Sequence, residues 1–278
     1  MLTVNLTTTS QRLNLCRITL TSLLMQSRSP DRIHLWVSRE PYLRDRGMDD
    51  STEIDRLIET LPEPARTLIS VRWVPNTGPY RKLIPVLREA EADDIIVTAD
   101  DDIFYGRHWL SGLMQAYDGA GGRAVAARAR TKRVNFLGRK TSYLYWNLID
   151  QPTVVDDNFI VTFGGGVVLT RSMFREQDIV DDSYLELAPT ADDLWYSQLL
   201  RHNNNPVVIV PSLMAELNFI EHNEGLMNDN VPRFATFLNK VRIRVWDRVV
   251  GFLGFPVCGN DVAYAQIDRY FNQTTVGD

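Results

Sequence analysis

Cysteine is scarce: the 278 residues contain two, Cys16 and Cys258, far apart in the chain. That excludes a disulfide framework or a paired-thiol zinc site, and fits a reducing compartment. No run approaches the ~18 consecutive apolar residues needed to cross a bilayer. The opening MLTVNLTTTSQR is too polar for a secretory signal. These absences lead us to expect a soluble, cytoplasmic protein. An excess of positive charge is missing as well. Lys and Arg number 30 against 35 Asp and Glu, a net −5, so no global field draws the chain to nucleic acid. Internal repeats and low-complexity segments are absent too. What remains is an ordinary globular balance, 44% hydrophobic and 23% charged. The length suits one large α/β domain, or such a domain with a small appendage.

Strand-like and helix-like segments alternate, which predicts an α/β fold with a mostly parallel sheet flanked by helices. Short β-prone runs are Leu2 to Leu6, Ile33 to Val37, Leu68 to Val74, Ile95 to Ala99, Ala124 to Ala127, Phe159 to Phe163, Val167 to Thr170 and Val207 to Val210. Helical spacing of apolar residues covers Leu13 to Leu24, Glu53 to Thr60, Pro79 to Glu91 (interrupted by Pro85), Trp109 to Tyr117 and Asp192 to Arg201. From about Val231 the chain mixes basic and large apolar residues. We therefore expect a catalytic domain over 1–228, divided at about residue 105 into a nucleotide-binding half and an acceptor half. A C-terminal helical appendage is expected over 229–278.

The richest stretch is IIVTADDDIFY, residues 95–105. Asp100, Asp101 and Asp102 follow a buried-type strand, at the edge where open α/β sheets bind ligands. Three adjacent carboxylates repel one another, and a divalent cation with oxygen ligands is a natural compensation. A solvated acidic turn is the plainer alternative, but the apolar flanks leave it little room. With this motif the chain resembles the GT-A class of glycosyltransferases, in particular the inverting family-two type of bacterial polysaccharide biosynthesis. ADDD is similar to that family's DxD motif. The resemblance implies a GT-A (Rossmann-like) fold, with Asp100 toward the nucleotide ribose. It also implies that Asp102, with Asp101, holds a Mn²⁺ or Mg²⁺ ion bridging a diphosphate.

Other parts follow in the family's order. FGGGV places Gly164, Gly165 and Gly166 between two β-prone runs. A hairpin or bulge would explain them, and the resemblance puts them beside the donor sugar. APTADDL opens a helix with Asp192 and Asp193 in its first turn, where the helix dipole favours anions. Thr190 is the expected N-cap, and capping alone would explain both acids. The resemblance instead makes Asp193 the general base and Asp192 its neighbour. His222, on a polar loop, matches a metal-binding histidine of the family. Tyr80, Arg81 and Lys82 form a basic stretch that can pair with a diphosphate, and the resemblance selects Lys82 before Arg81. Thr7, Thr8, Thr9 and Arg12 match the nucleotide-facing first loop.

The match departs from the family after the second strand. WVSRE offers Ser38 and Glu40 where an Asp usually holds the nucleotide base. The processive QxxRW motif is absent, so a polymerising synthase is not expected. The implied reaction is sugar transfer from a nucleotide-sugar donor, UDP first among the nucleotides, to a hydroxyl on a glycan, a lipid-linked acceptor or another biopolymer. A retaining GT-A enzyme, a sugar nucleotidyltransferase and a non-catalytic glycan-binding module are the competing readings. A nucleic-acid acceptor ranks below these on net charge. The local RARTKR, residues 128–133, reads as an acceptor-side loop or a solvated strand end. The basic amphipathic stretch 232–255 suits peripheral contact with an anionic membrane. Packing on the chain's own catalytic domain is the plainer alternative for it.

Overall fold

The computed structural model describes residues 1–48, 50–220 and 248–274. Eight strands form one mixed sheet: β1 (Leu2–Thr7), β2 (Arg32–Val37), β3 (Ile69–Trp73), β4 (Ile95–Thr98), β6 (Ala124–Ala126), β9 (Thr153–Val155), β11 (Val167–Thr170) and β12 (Val207–Ile209). Their order is β3-β2-β1-β4-β11-β6-β12-β9. The first four run parallel, β11 runs against both β4 and β6, and β12 runs parallel to β6. A side sheet joins β10 (Phe159–Val161), β7 (Ala129–Thr131) and β8 (Asn147–Leu148). A two-stranded ribbon pairs β13 (Leu217–Phe219) with β5 (Ile103–Tyr105).

Strand residues alternate between the two faces, and the core divides accordingly. Ile96, Leu169 and Ala126 enter one apolar cluster, while Val97, Val168 and Val125 enter the other. Helices α1 (Leu13–Leu24), α2 (Thr52–Glu59) and α4 (Trp109–Gly119) cover the second face. The first is covered by α3 (Ile84–Glu89), α7 (Asp192–His202) and a C-terminal helix, Gly259–Thr274. Two short helices, α5 (Glu176–Val180) and α6 (Tyr184–Leu187), precede α7. This is the expected mixed, mostly parallel sheet flanked by helices.

Three local expectations change. The helical pattern over Pro79 to Glu91 is two pieces, a 3-10 turn Gly78–Lys82 and then α3. Pro85 has no N–H to donate and is tolerated only in a first helical turn. The break leaves Arg81 and Lys82 in a turn with buried side chains. The run Phe159 to Phe163 ends as a strand at Val161 and belongs to the side sheet. The N-cap of α7 is Ala191, not Thr190, and no side chain caps it. The capping explanation for Asp192 and Asp193 therefore loses its capping residue.

Of the C-terminal appendage, residues 232–247 of the basic stretch lie outside the described residues. The C-terminal helix packs on α7, with the Phe271 ring 5.2 Å from that of Trp195. Among the described residues no helix is long and apolar enough to cross a membrane.

Candidate functional site

Strands β1, β2 and β4 all end at one edge of the sheet, and antiparallel β11 begins there. Thr8, Asp100 and the glycine loop therefore meet at the edge where open sheets of this kind bind ligands.

Lys82 is the hub of what gathers there. Its Nζ lies 2.6 Å from Asp100 Oδ1 and 3.0 Å from Asp192 Oδ2, with the side chain 5% exposed. One buried ammonium thus joins the acidic triplet to the acidic pair. Arg12 serves the rest of the triplet, its Nη2 lying 2.6 Å from Asp101 Oδ1 and 2.7 Å from Asp102 Oδ2. Thr8 Oγ1 donates to Asp101 Oδ2 at 2.6 Å. Asp101 thus has both oxygens engaged by the protein and ties β4 to the first loop. Asp100 and Asp102, with side chains 36% and 26% exposed, are the members that face outward.

The glycine loop is fixed against this cluster. Thr98 Oγ1 donates to Phe163 O at 2.9 Å, Tyr105 Oη to Gly164 O at 2.6 Å, and Trp109 Nε1 to Gly165 O at 2.9 Å. Tyr105 Oη also accepts from the Asp100 N–H at 2.8 Å, so one hydroxyl sets the spacing between triplet and loop. A Cβ at Gly164 would overlap Asp100 Oδ2. Gly166 has φ +104°, and a Cβ there would lie 2.7 Å from the Trp109 ring. Two of the glycines are thus required by close approach and by backbone conformation, beyond what a simple turn needs.

Asp193, in the first turn of α7, accepts from the Phe163 N–H at 2.9 Å through Oδ1. Burial raises its carboxyl to about 7; the charge of Asp192 adds to the rise and Lys82 opposes it. Burial likewise lifts Asp101 to about 6 against the pull of Arg12, and raises Asp100 against the pull of Lys82. For Lys82, burial disfavours the charge, but Asp100 and Asp192 outweigh it and hold the ammonium well above its ordinary range.

Other candidates are placed differently. Thr7 Oγ1 donates to Trp36 O at 2.8 Å and closes β1 onto β2. Arg81 turns away from the triplet: its Nη2 is 2.8 Å from Asp45 Oδ2, and its Nε donates to Gly78 O. The Glu40 side chain is exposed on the loop after β2, and its carbonyl accepts from Asn76 Nδ2 at 2.6 Å. His222 lies outside the described residues. Sequence reasoning missed Asp45, a buried carboxylate on that same loop that accepts from the Gly47 N–H at 2.9 Å and from Asn76 Nδ2 at 3.0 Å. It also missed Tyr105 and Trp109. Tyr105 had a signal in its place directly behind the triplet; Asp45 had none.

Whether the donor set suits a divalent cation is decided by its outward members. Asp100 and Asp102 supply hard oxygens, and Mg²⁺ or Mn²⁺ needs only one or two carboxylates when phosphates complete its shell. Among the described residues no group of three or more His, Cys, Asp or Glu converges as a closed protein site.

No family model matches the chain, and no curated protein matches it. Solved structures do. S. aureus TarS 1–349 in complex with UDP-GlcNAc has TM-score 0.55 at 13% identity, over 90% of this chain and 67% of that one. TarS 1–349 without that ligand gives 0.48 at 15% identity, over 74% of this chain, which spans 57% of its length. The Francisella tularensis 2-C-methyl-D-erythritol 4-phosphate cytidylyltransferase IspD gives 0.43 at 13% identity, over 88% and 98% of the two chains. Identities this low speak to architecture, and on that level the chain is built on a GT-A-like fold.

Proposed function

We propose that this chain moves a sugar from a nucleoside-diphosphate donor to a hydroxyl acceptor, with inversion at the anomeric carbon. The observation that carries the reading is the junction at Lys82, where one buried cation holds the acidic triplet and the acidic pair together beside the glycine loop. A structural turn has no use for a second set of acids brought to the same ammonium. UDP is the first nucleotide to test, since the TarS structure was solved with UDP-GlcNAc bound.

In this reading Thr8 and the buried pair Arg81–Asp45 wall the nucleoside end. Asp100 and Gly164 line the sugar, and Asp193 Oδ2 faces the acceptor. The acceptor hydroxyl gives its proton to Asp193 as its oxygen bonds to the anomeric carbon. The bond from that carbon to the diphosphate oxygen breaks, and its electron pair leaves with the nucleotide. A divalent cation, held by Asp102 with Asp100, would supply positive charge to the departing diphosphate. Lys82 holds the Asp100 and Asp192 carboxylates in place, and Asp193, raised to about 7, is poised to change its protonation state near neutrality.

Titrating the protein with UDP, GDP and their sugar conjugates by calorimetry tests the donor half. The expected result is binding of one nucleotide that weakens with EDTA and in Asp102→Ala. No binding of any nucleotide, with or without Mn²⁺, would sink the proposal. Gly164→Ala supplies a second check. The added methyl must displace the Asp100 carboxylate, and misplacement of about 1 Å at such a site is expected to cost on the order of 10²-fold in rate. Normal turnover in that variant would separate the glycine loop from the donor site.

A further inference from the structure

The wall beside Asp193 is cationic, and no carboxylate of the described residues lies in ion-pair contact with it. Strand β6 leaves the sheet at the site edge, and Arg128, Arg130 and Lys132 follow at alternate positions, Arg130 within β7 and the other two flanking it. Each cation lies against an aromatic ring. The Arg128 guanidinium is 5.5 Å from the Phe219 ring centre, that of Arg130 is 5.5 Å from Tyr143, and Lys132 Nζ is 4.8 Å from Tyr264. Among the described residues none of the three pairs with a carboxylate. Arg130 Nη1 donates to Trp146 O at 2.7 Å, while Arg128 Nε is buried with no hydrogen-bond partner.

This row begins at the reaction centre. The Arg128 carbonyl accepts from the Thr162 N–H at 2.9 Å, one residue from the Phe163 N–H that binds Asp193. A Cβ at Gly165 would lie 3.2 Å from Arg128 Cβ, so the row also abuts the glycine loop. Arg128 is lowered by burial and then by Arg130. Lys132 falls to about 7 through burial and then through Arg201 and Lys140. Asp193 acts on Arg128, and Asp157 and Asp268 on Lys132, only from beyond ion-pair distance, and half-desolvated cations with no carboxylate in direct contact are costly. A ligand that brings the anions removes that cost.

Resting on the sugar-transfer reading above, we propose that Arg128 and Arg130 form an acceptor subsite for a carbohydrate bearing phosphate or carboxylate groups, next to the hydroxyl that Asp193 deprotonates. The planar guanidinium fork matches both kinds of anion. Lys132, buried behind them, adds to the field and makes no contact. Of the three rings against the cations, Phe219 is the one that stands exposed. That is too small a stacking platform for a nucleic-acid strand and ample for a single sugar face.

The test is direct binding, without nucleotide, of four end-labelled probes at low salt: polygalacturonate for carboxylates, a poly(glycerol phosphate) for phosphates, neutral dextran, and oligo-dT. The protein is expected to bind one or both of the charged polyhydroxylated polymers in preference to dextran. Arg128→Gln/Arg130→Gln is expected to weaken that binding about a hundredfold. Arg123→Gln removes one charge at the opposite end of β6 and is expected to leave it unchanged. Arg128→Lys keeps the charge but loses the fork, and an intermediate loss in it decides the case if the double variant fails to fold. Equal binding of dextran, equal sensitivity to Arg123→Gln, or binding confined to oligo-dT would each overturn the proposal. Nucleotide titration of the same samples keeps the two readings apart. Polyanion binding without nucleotide binding defeats the donor site, and the reverse defeats the acceptor row.

Discussion

Asp193→Asn lowers kcat by about 10²- to 10⁴-fold if the carboxylate is the general base, the range that such a group supplies. The amide keeps the shape and can still face the Phe163 N–H, but it cannot take a proton. Because a base acts only in the transition state, kcat and kcat/KM for the acceptor should fall together. The pH profile adds a second signature. With the carboxyl raised to about 7 by burial and by Asp192, the wild-type rate should climb with pH and level off just above neutrality. The residual rate of the variant should be flat through that region. A limb that survives near pH 7 in Asp193→Asn would take the titration away from Asp193, with Asp101, raised to about 6, the next group to substitute.

The same carboxyl links activity to stability. Its folded value lies above the ~3.9 of an unfolded Asp, so between about pH 4 and 7 the folded chain holds a proton that the unfolded chain has released. Stability from this group is complete at low pH and is lost as pH rises through about 7. Asp193→Asn escapes that loss. Its melting temperature relative to wild type should rise from about pH 4 to 7 and stay higher above that. A variant that is both slower and more stable at pH 8 fits a strained reaction centre. A variant less stable than wild type at pH 8 would make Asp193 a structural acid.

Much of this was legible in the chain itself. Ile95 to Ala99 announces a buried strand by its unbroken apolar run, and it lies near the middle of the sheet, between β1 and β11. The triplet after it, the glycines and the acids of α7 could each be found locally, since each has a compositional mark. What escaped were side chains defined by their partners. Asp45 sits in a stretch rich in Arg, Asp and Glu, and only folding selects it by burying it against Arg81. Arg12 and Lys82 were visible as charges, but not as the counter-ions that hold the triplet. Thr190 looked like a cap, yet Asp192 and Asp193 reach out to Lys82 and Phe163. Local rules read the donors and acceptors of one segment, whereas this site is written between segments far apart in sequence.

Lys82→Met is the substitution that should damage the fold most. It leaves the aliphatic volume largely filled but strands Asp100 and Asp192 as buried or half-buried carboxylates with no counter-charge. Removing one partner of a buried pair typically costs about 3–5 kcal/mol, or a fall in Tm of roughly 10 °C. At pH 8 lysine is charged in the unfolded chain, and in the folded one Asp100 and Asp192 hold it so, so the full contribution is present there. Acid should shrink the deficit, because the stranded carboxylates can then take up protons. Lys82→Met/Asp100→Asn removes a charge from each side, and it should recover about 1–3 kcal/mol relative to adding the two single changes. Denaturant melts of the four proteins at pH 8 and pH 5 close the cycle. If the single changes add within about 0.5 kcal/mol, or if the deficit is the same at both pH values, Lys82 is not the hub. The acidic triplet and the acidic pair would then have to be treated as two separate sites.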